Sequence, residues 1–374
     1  MRILIDARLY GLENAGLGRY TINLVGELAK IDEKNDYVVL LRKKYFENLK
    51  LPKNWKKVLV DFRHYTLAEQ IKLPPIIKKE NPDLVHFLHF NAPIFYKGKF
   101  IVTIHDLLMQ SHRGAKATTL PAYIYYPKQI GAKYVFKKTV HSALRLIVPS
   151  RAVKKEVVEY YHLDSDRVVV TYEGVDPRLS DAEQTGDKIL RKYKLSKPYF
   201  IYTGNAYPHK NLERAICAIV HLNKSGKNVI FTVTSSRDLF TQRLENLIKQ
   251  FKAENHVKLL GFVPDLDLST LYKNSVAFLF PSLSEGFGLP GLEAMAAGTL
   301  VLASDIPVFR EVYKDVPIYF DPYSVELIEK SMEKVIKMKP SERARIITKG
   351  KKLAEKYSWS KMAQETLKIY NRIC

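Results

Sequence analysis

Glu285 and Glu293 frame the stretch Gly286-Phe287-Gly288-Leu289-Pro290-Gly291-Leu292, directly after an apolar run that ends at Phe280-Pro281. Glycines at this spacing let successive backbone N–H groups aim at an anion. Pro290 suits the first turn of a helix, where its missing N–H costs nothing. Glu293 then rides on that helix while Glu285 stays on the loop. One carboxylate can hold sugar hydroxyls and the other a ribose diol. A second pattern, Tyr202-Thr203-Gly204-Asn205 to His209-Lys210-Asn211, runs from a strand through a glycine to a helix starting at Leu212. Lys210 there would add a full charge to a phosphate site at the helix start, unless it is simply solvated.

Two weaker patterns lie in the first half. Gly16-Leu17-Gly18 follows a strand ending at Asp6 and a loop holding Gly11, with a helix expected from near Arg19. The bare backbone either approaches a phosphate or only starts the helix. It is not a P-loop, because no Gly-Lys-Ser/Thr follows. His105-Asp106 follows an apolar strand. It can orient a hydroxyl or move a proton, or be a buried histidine satisfied by backbone.

The elements that position these residues alternate. Strands are expected at Ile3–Asp6, Tyr37–Leu41, Val58–Val60, Leu84–Phe87, Ile101–Ile104 and Leu146–Val148. Helices fall between them at Arg19–Ala29, Leu67–Glu80 and Ala152–Tyr160. A polar stretch, Asp176 to Lys197, reads as a connection. The alternation restarts with strands Tyr199–Tyr202, Asn228–Thr234, Val257–Leu260, Ala277–Phe280 and Thr299–Ala303. Helices follow at Leu212–Leu222, Gln242–Ala253, Leu268–Tyr272 and Gly291–Ala297, and a basic helical tail runs from about Glu342 to Arg372. Strand–helix alternation with near-continuous apolar strands means parallel sheets buried on both faces. Ligands of such sheets bind at the carboxyl ends of the strands.

The chain has 374 residues, 46% hydrophobic and 26% charged, which excludes whole-chain disorder and fibrous structure. Sixty Lys and Arg against 39 Asp and Glu give a net charge of +21 and an attraction to something anionic. Residues 1–150 alone hold 25 basic and 12 acidic side chains, and residues 101–150 hold 7 and 1. Cys217 and Cys374 make neither a disulfide framework nor a zinc spacing, which fits a reducing cytoplasm. Asp6 interrupts the first apolar run at once, unlike a signal peptide, and no run reaches a membrane span.

Together, Gly16-Leu17-Gly18-Arg19-Tyr20, His105-Asp106, Val148-Pro149-Ser150, Gly204 through Asn211, Gly261-Phe262-Val263 and Glu285 through Glu293 resemble the retaining nucleotide-sugar glycosyltransferases of family 4. The resemblance covers essentially the whole chain and extends to a mannosyltransferase-like subgroup through Tyr207-Pro208-His209-Lys210-Asn211. It implies an α/β GT-B fold of two doubly wound Rossmann-like domains facing a central cleft. The implied domains are an acceptor-binding domain at 1–175 and a nucleotide-sugar-binding domain at 176–357, with a helix at 358–374 crossing back. It implies catalytic roles for His105, Glu285 and Lys210: the first beside the sugar ring, the second on the transferred sugar, the third on the diphosphate. Glu293 would hold the ribose. Phe287, Gly288 and Leu289 would offer N–H groups to sugar and diphosphate, Val263 would border the base, and Gly16 and Gly18 would approach from the other domain. Many relatives carry an arginine where this chain has Asn205, so the second diphosphate cation is missing, and Arg19 or His209 would have to compensate.

The expected reaction moves a hexose, mannose by resemblance, from a GDP- or UDP-linked donor to a hydroxyl acceptor, with no cofactor and no metal. Asp265-Leu266-Asp267 matches an Asp-x-Asp metal motif but precedes a helix, where an N-cap role is expected for one aspartate. His112 to Arg145 mixes lysines with tyrosines and suits an anionic bilayer surface at the inner face of the cell membrane, or an ordinary helix with a solvated lysine face. The acceptor would be a glycan or lipid-linked. A nucleotide-sugar epimerase would share the donor groups without needing an acceptor surface. A nucleic-acid-binding protein would be as basic but has no use for Glu285 and Glu293 around a glycine loop, and no motif for nucleic acid is present.

Overall fold

The computed structural model describes residues 1–108, 118, 121–180, 186–195, 198–235 and 239–373. Most of the basic–aromatic stretch before Pro121, parts of the polar connection (181–185, 196–197) and Cys374 lie outside the described residues. The chain forms two compact units: Met1–Gly174 with Ser358–Cys374, and Val175–Tyr357.

The first unit is built on seven parallel strands: β1 (Arg2–Asp6), β2 (Asp36–Leu41), β3 (Trp55–Leu59), β4 (Leu84–Phe87), β5 (Phe100–Thr103), β6 (Arg145–Val148) and β7 (Val168–Val170). Their order is β3-β2-β1-β4-β5-β6-β7. The chain winds outward from β1 through β2 to β3, then returns to the other side of β1 at β4. Asp6 pairs with Leu40 on one side and Phe87 on the other, so it closes β1 at the switch point. Ile3, Leu4 and Ile5 are fully buried, each stabilising the sheet by roughly 1.5–3 kcal/mol.

Its helices are α1 (Ala15–Ile31), α2 (Lys43–Phe46), α3 (Leu67–Glu80), α4 (Ala122–Ser142) and α5 (Arg151–Tyr161). α1 begins four residues earlier than its pattern suggests, which puts Gly16 and Gly18 inside its first turns rather than in a loop. The reason is local. A short 3-10 turn, Leu12–Asn14, lies beneath the helix start, and Gly18 sits so close to the Gly11 carbonyl that a Cβ would overlap it. The strand β7 escapes a pattern reading because Val168–Val170 is only three residues long.

The second unit repeats the design with β8 (Tyr199–Thr203), β9 (Ile230–Thr234), β10 (Val257–Gly261), β11 (Ala277–Phe280), β12 (Val301–Ser304) and β13 (Ile318–Phe320). All are parallel, in the order β10-β9-β8-β11-β12-β13, with the switch between β8 and β11. Its helices are α6 (Gly186–Lys192), α7 (Leu212–Lys224), α8 (Leu239–Gln250), α9 (Asp265–Asn274), α10 (Leu289–Ala296), α11 (Pro307–Tyr313), α12 (Val325–Ile336) and α13 (Pro340–Ala354).

The polar stretch expected as a connection is instead partly structural. Leu179, Ile189, Leu190 and Leu195 are buried, and α6 packs on α9. The N-cap expectation for Asp265 or Asp267 fails as well: Pro264 occupies the cap position, and both aspartates lie inside the helix. Asp267 accepts from Lys192 Nζ at 2.5 Å and Tyr193 Oη at 2.7 Å, so it ties α6 to α9. The basic tail is two helices. α13 belongs to the second unit, whereas α14 (Trp359–Ile373) belongs to the first and packs along α1. Among the described residues, no helix is long and apolar enough to cross a membrane.

Candidate functional site

In the second unit the loops leaving β8 and β11 meet. After β8 the chain turns at Gly204 and makes a 3-10 turn, Pro208–His209–Lys210, before α7. Asn211 follows at φ 58°, and its Nδ2 donates to the carbonyls of Pro281 at 2.9 Å and Pro322 at 2.8 Å. Leu283 N donates to the His209 carbonyl at 2.8 Å. These bonds stitch the Lys210 turn to the loop after β11. Lys210 Nζ consequently donates to Glu285 Oε1 at 2.6 Å, with side-chain exposures of 16% and 10%. A cation and a carboxylate are thus held together at the strand ends, both still open to a ligand.

The glycine loop rests on Tyr313. Gly288 has φ +90° and caps α10 with no side-chain hydrogen bond; a Cβ on Gly288 or on Gly291 would overlap the Tyr313 ring. Tyr313 Oη donates to the Gly288 carbonyl. Burial, then the Glu285 charge, push the Tyr313 phenol well above its ordinary pKa. The first turn of α10 therefore presents a helix N-terminus, a favourable end for an anion. Pro290 sits in that first turn, and Glu293 is buried on the helix at 5% exposure. Phe287 and Leu289 are buried, with Phe287 edge-on to Tyr357 at 5.6 Å. Tyr202 Oη donates to the Asn205 carbonyl at 2.9 Å, fixing the loop where the expected arginine is absent. Val263 is buried just past β10, next to an exposed Phe262.

In the first unit, His105 Nε2 donates to the Leu88 carbonyl at 3.0 Å, its Nδ1 lies 3.5 Å from Glu173 Oε1, and the Tyr20 ring stands edge-on to it at 4.8 Å. Gly16 has nothing within 4 Å of where a Cβ would point, unlike Gly18. The carboxyl end of β1 carries a network that no local pattern announces. Arg8 is fully buried and bidentate to Asp6, at 2.7 and 2.6 Å, and its Nη2 also donates to Glu69 Oε1 at 2.6 Å. Tyr65 N and Asn91 Nδ2 donate to Glu69 Oε2. Burial is the largest single influence on Asp6 and would raise it, but the Arg8 charge and the hydrogen bonds from Arg8, with a smaller part from His64, together outweigh it and hold the carboxyl below its ordinary range. Burial wins at Glu69, which is pushed up to about 7. Burial and the Arg8 charge push His64 down to about 4. Asp6, His64 and Glu69 bring ligand-type atoms within 4.8 Å of one another, yet both carboxylates already share Arg8.

The family profile described as glycosyltransferase family 4 matches residues 15–179, and that described as glycosyl transferases group 1 matches residues 187–353. The chain belongs to glycosyltransferase family 4. It is 26% identical to the O-antigen chain mannosyltransferase RfbU of Salmonella typhimurium over 90% of either chain. It is also 26% identical to the O-antigen chain mannosyltransferase B of Escherichia coli over 99% of each. Among solved structures it is similar to WaaG, a glycosyltransferase involved in lipopolysaccharide biosynthesis, with TM-score 0.75 and 14% identity over 99% of both chains. It is likewise similar to a sucrose-phosphate synthase from Thermosynechococcus elongatus, with TM-score 0.77 and 15% identity over 100% of this chain and 98% of that one. The fold is GT-B, and this family 4 member is a glycosyltransferase similar to proteins named mannosyltransferases.

Proposed function

We propose that this protein is a retaining mannosyltransferase that moves mannose from a GDP- or UDP-linked donor to a hydroxyl of a lipid-linked or polysaccharide glycan. It needs no cofactor and no divalent metal, and it works in the cytoplasm at the inner face of the cell membrane. The observation that carries the reading is the Lys210–Glu285 pair at the β8/β11 switch point, beside the glycine-led start of α10. The similarity to proteins named O-antigen chain mannosyltransferases supports the choice of sugar and acceptor class.

In this reading the leaving group is a diphosphate, and catalysis lies in stabilising its developing charge. Lys210 shifts from Glu285 toward the phosphates, and the α10 amides add their dipole. Glu285, released from full pairing, accepts from sugar hydroxyls and holds the ring in place. Glu293 takes the ribose, and His105 lines the sugar. The acceptor hydroxyl attacks on the face the diphosphate leaves, and its proton passes to the departing phosphate oxygen. The test is a thermal-shift screen of nucleotides and nucleotide sugars, followed by transfer with the stabilising donor and assignment of the product's anomeric configuration. Inversion, a requirement for Mn²⁺ after EDTA, or an epimerised nucleotide with no transferred sugar would each reject a part of the proposal.

The membrane contact is assigned to α4. It carries Lys128, Lys133, Lys137 and Lys138 and no acidic residue. Tyr123, Tyr126, Ile130 and Tyr134 follow one another at helical i, i+3, i+7, i+11 spacing, and all are more than half exposed. The protein is expected to sediment with anionic vesicles at physiological salt and not with neutral ones. Lack of sedimentation with either would leave the acceptor to be met in solution.

A further inference from the structure

We infer that Glu173 is a positioning residue for His105, fixing how its ring is oriented. This rests on the reading of His105 as a neighbour of the transferred sugar. A carbonyl oxygen only accepts, so the contact of His105 Nε2 with the Leu88 carbonyl at 3.0 Å requires a hydrogen on Nε2. The other ring nitrogen, Nδ1, faces Glu173 Oε1 at 3.5 Å. Glu173 is itself 8% exposed, so little water competes for its carboxylate. With both nitrogens directed at protein oxygens and the Tyr20 ring across its face, His105 has one orientation. It therefore meets a ligand through its backbone or ring carbons, not as a free general base.

The C-terminal helix sets this arrangement from both of its ends. Gly174, next to Glu173, presses so closely on the backbone of Ser358 and Trp359 that a Cβ would overlap it. The start of α14 thus fixes the position of Glu173. Near its other end, Tyr370 Oη meets His86 Nδ1 at 2.6 Å, and His86 Nε2 meets Thr103 Oγ1 at 2.9 Å. Thr103 in turn meets Tyr20 Oη at 3.2 Å, and Tyr20 is the ring that stands against His105. Tyr20, His86, Thr103 and Tyr370 are all buried. A helix that enters the first unit from the end of the chain thereby reaches one loop histidine by two separate chains of contact.

The test uses Glu173→Gln, which keeps the shape and removes the charge. Nitrogen–proton correlation spectra of histidine-labelled protein report each ring's tautomer. The His105 Nδ1 resonance is expected to move in Glu173→Gln, while that of buried His86 stays. An unchanged His105 signal overturns the inference whatever the activity proves to be. In transfer assays Glu173→Gln is expected to lower kcat roughly 10- to 100-fold with donor KM little altered. Glu173→Asp, retaining the charge, should recover part of that loss. In a His105→Gln background the Glu173→Gln effect should disappear. Losses that multiply, or an Asp variant no better than Gln, would place the role of Glu173 elsewhere and overturn the inference. Failure of the wild-type protein to turn over any nucleotide sugar would reject the mannosyltransferase reading, while the spectra still decide the Glu173–His105 pairing.

Discussion

At the carboxyl end of β1, Arg8 has no exposed side-chain surface and is bound on two sides by Asp6 and Glu69. At the equivalent end of β8, Lys210 and Glu285 form one pair and keep some exposure. Both units wind the same way, so these are the same topological places. Charge in the first is spent on holding three chain segments together: the end of β1, the start of α3 and the loop after β4. Charge in the second is left accessible, where a ligand can redistribute it. The contrast separates a lock from a site. A group whose partners are all protein and all dry cannot be exchanged without breaking the fold.

The comparison breaks most visibly at Arg8. Arg8→Met leaves two buried carboxylates without their shared cation and is expected to destabilise the protein by roughly 3–5 kcal/mol. Chemical denaturation measures it. A loss well under that, with activity lost instead, would make the β1 cluster a ligand site and erase the distinction. Glu285→Gln should do the reverse. Transfer falls roughly 10²- to 10³-fold in kcat, while the melting temperature stays near that of the wild type. Retention of more than a small part of kcat would remove Glu285 from the sugar.

That asymmetry also marks how much was legible in the sequence. Glu285, Glu293 and Lys210 sit in strand–glycine–helix patterns a few residues long, and local rules read such patterns. Leu67–Glu80 was legible to the residue despite Pro74 and Pro75, because its start is signalled by Thr66 and confirmed by a side-chain bond to Glu69 N. Arg8, Glu69 and Asn91 carry no such pattern; the pairs are 61 and 22 residues apart, and only the sheet order brings them together. Glu173 is hidden for the same reason. Its partner His105 is distant, and its own setting depends on Trp359 at the start of the last helix. The helix start at Ala15 is not legible because the packing of Gly18 in the helix on the Gly11 carbonyl just before it is a contact, not a periodicity.

Titration gives a finer test of the lock. Burial pushes His86 down to about 3 from an ordinary 6.5, and His64 down to about 4. Both bind protons less tightly when folded, so their share of the stability is present above about 6.5 and is lost as pH falls. Glu69 acts in the opposite sense. With its carboxyl pushed up to about 7 from 4.5, its share is present below about 4.5 and is lost as pH rises through about 7. Glu69→Gln should therefore steepen the gain in stability between the two limits, by up to ~1.4 kcal/mol per pH unit. Denaturation midpoints across that range check the slope. A slope unchanged by the substitution would mean that Glu69 stays ionised against Arg8 throughout.

The smallest effects compare two glycines two residues apart on α1. Gly18 is closed by the Gly11 carbonyl, so Gly18→Ala must push the turn and the helix apart, at a cost of roughly 1–3 kcal/mol. Gly16 faces open space within the same helix, so Gly16→Ala relieves a flexible residue and should stabilise the fold by roughly 0.5–1 kcal/mol. If the donor diphosphate comes up against that bare Cα, the added methyl must also raise donor KM. A protein that melts higher and binds its donor more weakly would show that Gly16 is kept for a ligand and Gly18 for the turn. An unchanged KM would assign both glycines to the architecture of α1 and leave donor binding to the second unit's loops.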